Sequence, residues 1–332
     1  MLPAPRTQTC IKRRIIRPRE WYAVTLSGGV VSSASVRCGR SAWEYLRADW
    51  HIGRVVSTFS GGVNALFASN ALISFQSPEV PLQPWAVEAM LPWERVCEDE
   101  AVMATGGHIR VGTLPLQLHH TEVLELQLSL IPETVSLPTL ISHLEVLKDL
   151  KRCGSDAECT PLSARFDAKW RSILDVWVCN RLTYGLSRLI GLGMGLTPTG
   201  DDILVGILGG LEVLKHIVGA DNVGLNDVCA TLDQLRAVSR QEAPGRTNLA
   251  SCQALCSATE GRFCEVLLHL LDVLCRPGTT TREIITCAQS VLCLGHTSGM
   301  DLLTGVIAAL EWGLAISNQR QRACFARAVD CF

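Results

Sequence analysis

The 332 residues predict an α+β fold: an N-terminal antiparallel β-sheet or small barrel, then a C-terminal helical bundle containing a duplicated Gly-rich loop–helix element. Three observations point there. Short apolar runs alternate with turn signals between residues 20 and 130. From about residue 162 apolar residues recur at three and four, the period of a helix. One loop-to-helix segment in the second half occurs twice. The chain therefore reads as a basic arm over 1–20, a β-rich domain over 21–150 and a helical domain over 162–320. The polar stretch 151–161, with Gly154, Ser155 and Pro161, marks the boundary.

In chain order, the arm carries Arg6, Lys12, Arg13, Arg14, Arg17 and Arg19. No apolar run follows them, so it is not a secretory signal and reads as a solvated tail. Strands are expected at 54–59, 65–75, 108–114 and 122–129, with Ser60-Gly61-Gly62 and Gly106-Gly107 as turns. In 122–129 (EVLELQLS) polar and apolar residues alternate, as in a sheet with one wet face. Phe166, Trp170, Ile173, Leu174, Trp177 and Val178 form a helix stripe. Further helices are expected near 202–217, 226–241, 248–259, 262–275, 281–293 and 300–316. Thr280 with Glu283 makes a capping box, and Pro277-Gly278 separates that helix from the one before.

Composition narrows the function classes. Apolar residues are 48% and charged residues 19%, with mean hydropathy +0.23. That excludes a disordered chain and a charged coiled coil. It also suggests surface covered by a subunit contact, with partner subunits or a homo-oligomer. Net charge is −2, so nothing draws the chain to nucleic acid. The longest apolar runs, 203–211 and 302–310, end at Glu212 and Glu311 and suit buried helices rather than membrane spans. The 15 cysteines include no Cys-x-x-Cys pair. Cys252 and Cys256 share a helix face, and the thiols read as buried groups in a reducing cytoplasm. His119-His120 shows no ligand spacing and reads as surface.

The informative segment is GLGMGLTPTGDD at 191–202. No strand precedes it, so it is not a dinucleotide fingerprint, and without lysine it is not a P-loop. It has an echo. Thr199-Gly200-x-Asp202 matches Ser298-Gly299-x-Asp301, and the match continues through Leu204/Leu303, Gly206/Gly305, Leu211/Leu310 and Glu212/Glu311 at a constant offset of 99 residues. Two copies of one element related by a pseudo-twofold are expected. In each, Thr199 or Ser298 serves as N-cap, and Asp202 or Asp301 reaches back to the cap in a capping box with Asp for Glu. Gly206 and Gly305 let another helix approach closely.

Capping alone does not require the surrounding glycines. Gly193, Gly195, Gly200 and Gly299, with Thr197, Thr199, Thr297 and Ser298, suit a site where backbone N–H groups and hydroxyls hold a small anion. Asp201 and Asp202 would repel an anion unless they turn away, cap the backbone or hold Mg²⁺. His296 can act as general acid or base, or donate to an oxyanion. Arg246 can fork onto a carboxylate; Thr247 or Asn248 alternatively caps the next helix. The candidate catalytic residues are Asp202, His296 and Asp301. The substrate contacts are Gly193, Gly195, Thr197, Thr199, Gly200, Asp201, Arg246, Thr247, Asn248, Thr297, Ser298 and Gly299. No cofactor is required by this reading, with Mg²⁺ as the alternative.

GLGMGLTPTGDDILVG (191–206), TNLASCQALCSATEGRF (247–263) and LGHTSGMDLLTG (294–305) stand in the order found in the AllH-type bacterial family, which this chain resembles over about 50–315. Ser57-Thr58-Phe59 and Asn64 fit more loosely. The resemblance implies the third subunit of oxamate carbamoyltransferase in allantoin and purine breakdown, acting with other subunits. The reaction it implies converts oxalurate and phosphate to oxamate and carbamoyl phosphate. All of these are small anions, and carbamoyl transfer passes through a tetrahedral oxyanion. The basic arm, the cysteine excess and the 151–161 stretch depart from the family pattern. Two other readings stay open: a non-catalytic scaffold or regulatory subunit, and a Mg²⁺-dependent enzyme using Asp201, Asp202 and Asp301.

Overall fold

The computed structural model describes residues 36–48, 50–129, 135–158, 185–217 and 225–329. The basic arm over 1–20, Pro161 and the stripe from Phe166 to Val178 lie outside the described residues.

β1 (Arg37–Gly39) leads into α1 (Arg40–Leu46). There follow β2 (His51–Phe59), β3 (Gly62–Phe67), β4 (Leu72–Gln76), β5 (Ala86–Glu88), β6 (Ala101–Thr105), β7 (His108–Val111), β8 (Leu114–Gln117) and β9 (Glu122–Leu124). They form one open sheet in the order β8-β7-β6-β2-β3-β4-β5-β1-β9. The sheet is mixed rather than wholly antiparallel, because β4 with β5 and β1 with β9 run parallel. The connection over 77–85 is no tight hairpin; it carries the chain back so that β5 runs beside β4 in the same direction. Gly106 and Gly107, with φ of +54° and +81°, make the turn between β6 and β7.

Two expected strands are subdivided. The run 65–75 is broken by a turn at Asn70, a residue that tolerates its φ of +62°. The run 122–129 pairs with β1 only through residue 124. At Leu126 (φ +43°) the chain bends, and residues 126–128 turn to 261–263 instead: Phe263 N–H donates to Leu126 O (3.0 Å) and Leu128 N–H to Gly261 O (3.1 Å). Leu126 and Leu128 are buried, as the alternation predicts.

The helices are α2 (Leu137–Glu158), α3 (Thr199–Ile217), α4 (Leu225–Arg246), α5 (Leu249–Ala258), α6 (Glu265–Cys275), α7 (Thr281–Leu292) and α8 (Ser298–Val329). α2 buries Leu140, Leu144 and Leu147 and continues through Lys151. Helical structure therefore starts at Leu137, ahead of the polar stretch read as the boundary. α4 runs past its expected end, with Pro244 accommodated in its last turn. The Thr280–Glu283 capping box on α7 is formed in both directions, at 2.8 and 3.2 Å.

α3 and α8 form the centre of the helical layer. They cross in closest contact at two glycines. A Cβ on Gly206 would lie 2.1 Å from Leu302 O, and a Cβ on Gly305 would lie 2.1 Å from Ile203 O. Further along, Gly210 meets Ala309 and Gly313 meets Leu214. Each contact joins a residue to its repeat partner or to the residue one helical turn before that partner. The helices are therefore parallel, related as the sequence echo predicts. Residues 298–316 are apolar enough over 19 positions to match a membrane span by length and composition, yet 89% of that window is buried inside the fold.

Sheet and helices meet at a charged seam. Arg37 on β1 is buried and donates to Glu88 on β5 (2.8 Å) and to Glu265 at the start of α6, and it lies 3.5 Å from Glu122 on β9. Glu265 N–H donates to Leu82 O (2.9 Å), beside a small apolar cluster of Leu82, Ala86 and Leu126. Replacing Arg37 by Met strands the buried Glu88 and the largely buried Glu265, so a loss of about 3–5 kcal/mol is expected in denaturant titration. Gly206→Ala gives a second check on the packing. In an exposed helix the change would stabilise by about 1 kcal/mol. Here the carbonyl of Leu302 occupies the space, so a loss of about 1–3 kcal/mol is expected.

Candidate functional site

Because α3 and α8 are parallel, their N-termini lie side by side. The Thr197 and Ser298 hydroxyls are 2.6 Å apart although 101 residues separate them in the chain. Directly below sit three buried carboxylates: Asp201, Asp202 and Asp301.

Their roles differ. Asp201 turns away from the junction. It accepts from Gly191 N–H (2.8 Å) and from the Thr247 hydroxyl, tying the glycine loop and the α4–α5 junction to α3. Burial raises its pKa, while Thr247, Gly191, Ser251 and Arg246 oppose that rise. Asp202 faces the neighbouring helix. Burial pushes its carboxyl up to about 8 from an ordinary value of 3.8, against the lowering effect of the Ser298 and Thr197 hydroxyls; Asp301 and Asp201 add repulsion. Its Oδ2 is buried without a hydrogen-bond partner. Among the described residues no group of three or more His, Cys, Asp or Glu side chains could hold a metal ion.

The capping boxes expected at 199–202 and 298–301 are not formed. The N-cap of α3 is Pro198, whose carbonyl accepts from Asp201 N–H (2.9 Å) and Asp202 N–H (3.2 Å). Proline has no N–H for a carboxylate to reach back to. In α8 the Thr297 carbonyl takes the Asp301 N–H (3.0 Å), so Ser298 is inside the helix rather than its cap. Thr199 is likewise the first helical residue and is buried. The Gly200 and Gly299 N–H groups are engaged by their own loops, donating to Leu192 O (2.8 Å) and Leu294 O (3.1 Å). At Gly193, φ is +128° and a Cβ would lie 2.7 Å from Thr199 N, so only glycine lets the loop fold back over the helix start. Gly195 lies exposed at the loop tip.

Asn248 is the N-cap of α5, accepting from Ser251 N–H (3.0 Å), and its amide also donates to Leu196 O (2.9 Å). It thus fastens the glycine loop from the other side. Arg246 is exposed and paired with Glu242 one turn earlier on α4. His296 is exposed in the turn before α8, next to half-buried Thr297. Sequence reasoning missed Ser251, whose buried side chain faces Asp201. It also missed the exposure of Leu192, Met194 and Leu196, of which Met194 is 93% exposed. The alternation of glycine with large apolar residues in GLGMGL was the available signal.

These features define a class: a helical core made of two Gly-rich loop–helix units in parallel, with hydroxyls and buried carboxylates where the units begin. Residues 189–310, a little over a third of the chain, match the family model described as oxamate carbamoyltransferase subunit AllH. That segment holds every candidate site residue and is similar to that family. No solved structure matches the chain.

The raised Asp202 carboxyl has a signed consequence. The native state keeps a proton that the unfolded chain releases near pH 4, so this group's stabilising contribution is complete below that pH. It is lost as pH rises toward and through about 8. Stability should fall with a slope of up to about 1.4 kcal/mol per pH unit across that window. Asp202→Asn should flatten the slope in denaturant titrations run at several pH values.

Proposed function

We propose that this chain is a cytoplasmic subunit of a carbamoyl-transferring enzyme, and that the joined N-termini of α3 and α8 hold its small anionic substrate. The observation that carries the reading is the junction itself. Two hydroxyls from the two helix starts meet at 2.6 Å beside the buried Asp202 carboxyl. Two parallel helix dipoles place their positive ends together there, which favours an anion. Asp202 keeps its proton at neutral pH, so it does not repel the anion and can donate to it. The AllH-type match over this segment supports the reaction class and the presence of partner subunits.

For oxalurate and phosphate the chemistry follows. A phosphate oxygen attacks the carbamoyl carbon, and the resulting tetrahedral oxyanion is stabilised by the Thr197 and Ser298 hydroxyls. The bond to the oxamate nitrogen then breaks, and Asp202 supplies the proton that nitrogen needs. Asp301 sets the repulsion that helps keep Asp202 protonated. His296, at the exposed side, exchanges that proton with solvent.

The scaffold reading keeps one observation in its favour: the Gly200 and Gly299 amides are already engaged within their loops. Activity and binding separate the two. With partner subunits present, Asp202→Asn should lower carbamoyl phosphate formation about 100-fold or more without lowering the melting temperature at neutral pH. Oxamate or phosphate at 100 times its dissociation constant should stabilise the chain by about 2.7 kcal/mol. Full activity of Asp202→Asn, with no thermal shift by any of these anions, would leave the scaffold reading.

A further inference from the structure

The sheet carries a cleft that lies apart from the helix ends. It is an open depression of about 210 Å³ between Trp43 of α1, Arg47 just past the end of α1, Gly106 and Gly107 of the β6–β7 turn, and Leu118 and His119 after β8. Pockets for drug-sized ligands measure roughly 300–1,000 Å³, so its occupant must be smaller.

The lining is cationic and aromatic. The Arg47 guanidinium stands 4.3 Å from the centre of the Trp43 ring. It makes no ion pair among the described residues, unlike Arg40 on the same helix, which is bound to Glu125. Stacking on an indole fixes the plane of a guanidinium while leaving its N–H fork free. His119 lies against His108, with ring centroids 4.7 Å apart. The Gly107 carbonyl is taken by Leu118 N–H (2.9 Å), which fixes the turn, and at Gly106 nothing comes within 4 Å of where a Cβ would be. A held cation with an open fork, an imidazole and an unobstructed glycine turn thus converge on one small cleft.

We propose that this cleft binds a small oxyanion, a phosphate or carboxylate group, through the Arg47 fork, with His119 as a second donor. The inference does not depend on the reading of the helix ends.

The test is a titration of the full chain with inorganic phosphate at constant ionic strength, followed by backbone amide and histidine NMR signals, with chloride as reference. Signals of Gly106, Gly107 and His119 should move saturably with phosphate and not with chloride. Arg47→Gln should weaken that response at least tenfold. Arg47→Lys, which keeps the charge on the same helix but loses the fork, should weaken it about threefold. A response absent or non-saturating, equal with chloride, or unchanged in either variant overturns the proposal.

Discussion

The crossing of α3 and α8 at Gly206 and Gly305 is the constraint on which the rest depends. Each glycine accepts the other helix's carbonyl where a methyl group would otherwise sit. Only glycine permits that distance, and a parallel pair brings the two glycines, 99 residues apart, into register. Parallel packing aligns two helix dipoles, an arrangement that gathers positive potential at one end. Asp201, Asp202 and Asp301 stand in the first turns, where negative charge is most favourable, but burial pushes the Asp202 carboxyl up to about 8. The protonation of Asp202 thus follows from how the helices pack.

Much of this was legible in the sequence. The helices appear because their apolar stripes have a period that no loop shares, and the 280–283 capping box needs only local residues. The repeat at a constant offset was enough to anticipate the paired helix starts. What escaped were features set by distant partners. Residues 126–128 alternate like a strand but pair with 261–263, which no local pattern announces. The capping boxes failed because Pro198 ends its loop one residue earlier than the motif suggests, moving Asp202 from the third to the fourth helical position. Asp201 read as a substrate contact from its place in the motif. Its hydrogen bonds to Gly191 and Thr247, residues brought to it by the fold, were not legible in that motif.

The sheet is joined to this core by few but strong links. Arg37 gathers carboxylates from two strands and from α6, and the bend at Leu126 passes the chain's edge to the residues that lead into α6. Both links end on α6, which also packs against α3. A disturbance at the sheet edge therefore has a short route of packed groups to the helix starts.

The duplication is faithful but not complete. One turn carries Asp201 where its counterpart carries Met300, also buried. One helix start is consequently tied to its surroundings by a hydrogen-bonded carboxyl group, and the other carries a hydrocarbon side chain at the same place. A molecule with two unlike ends would meet two unlike walls and settle head to tail in a single sense. A duplicated element thus yields a junction whose two sides differ in chemistry.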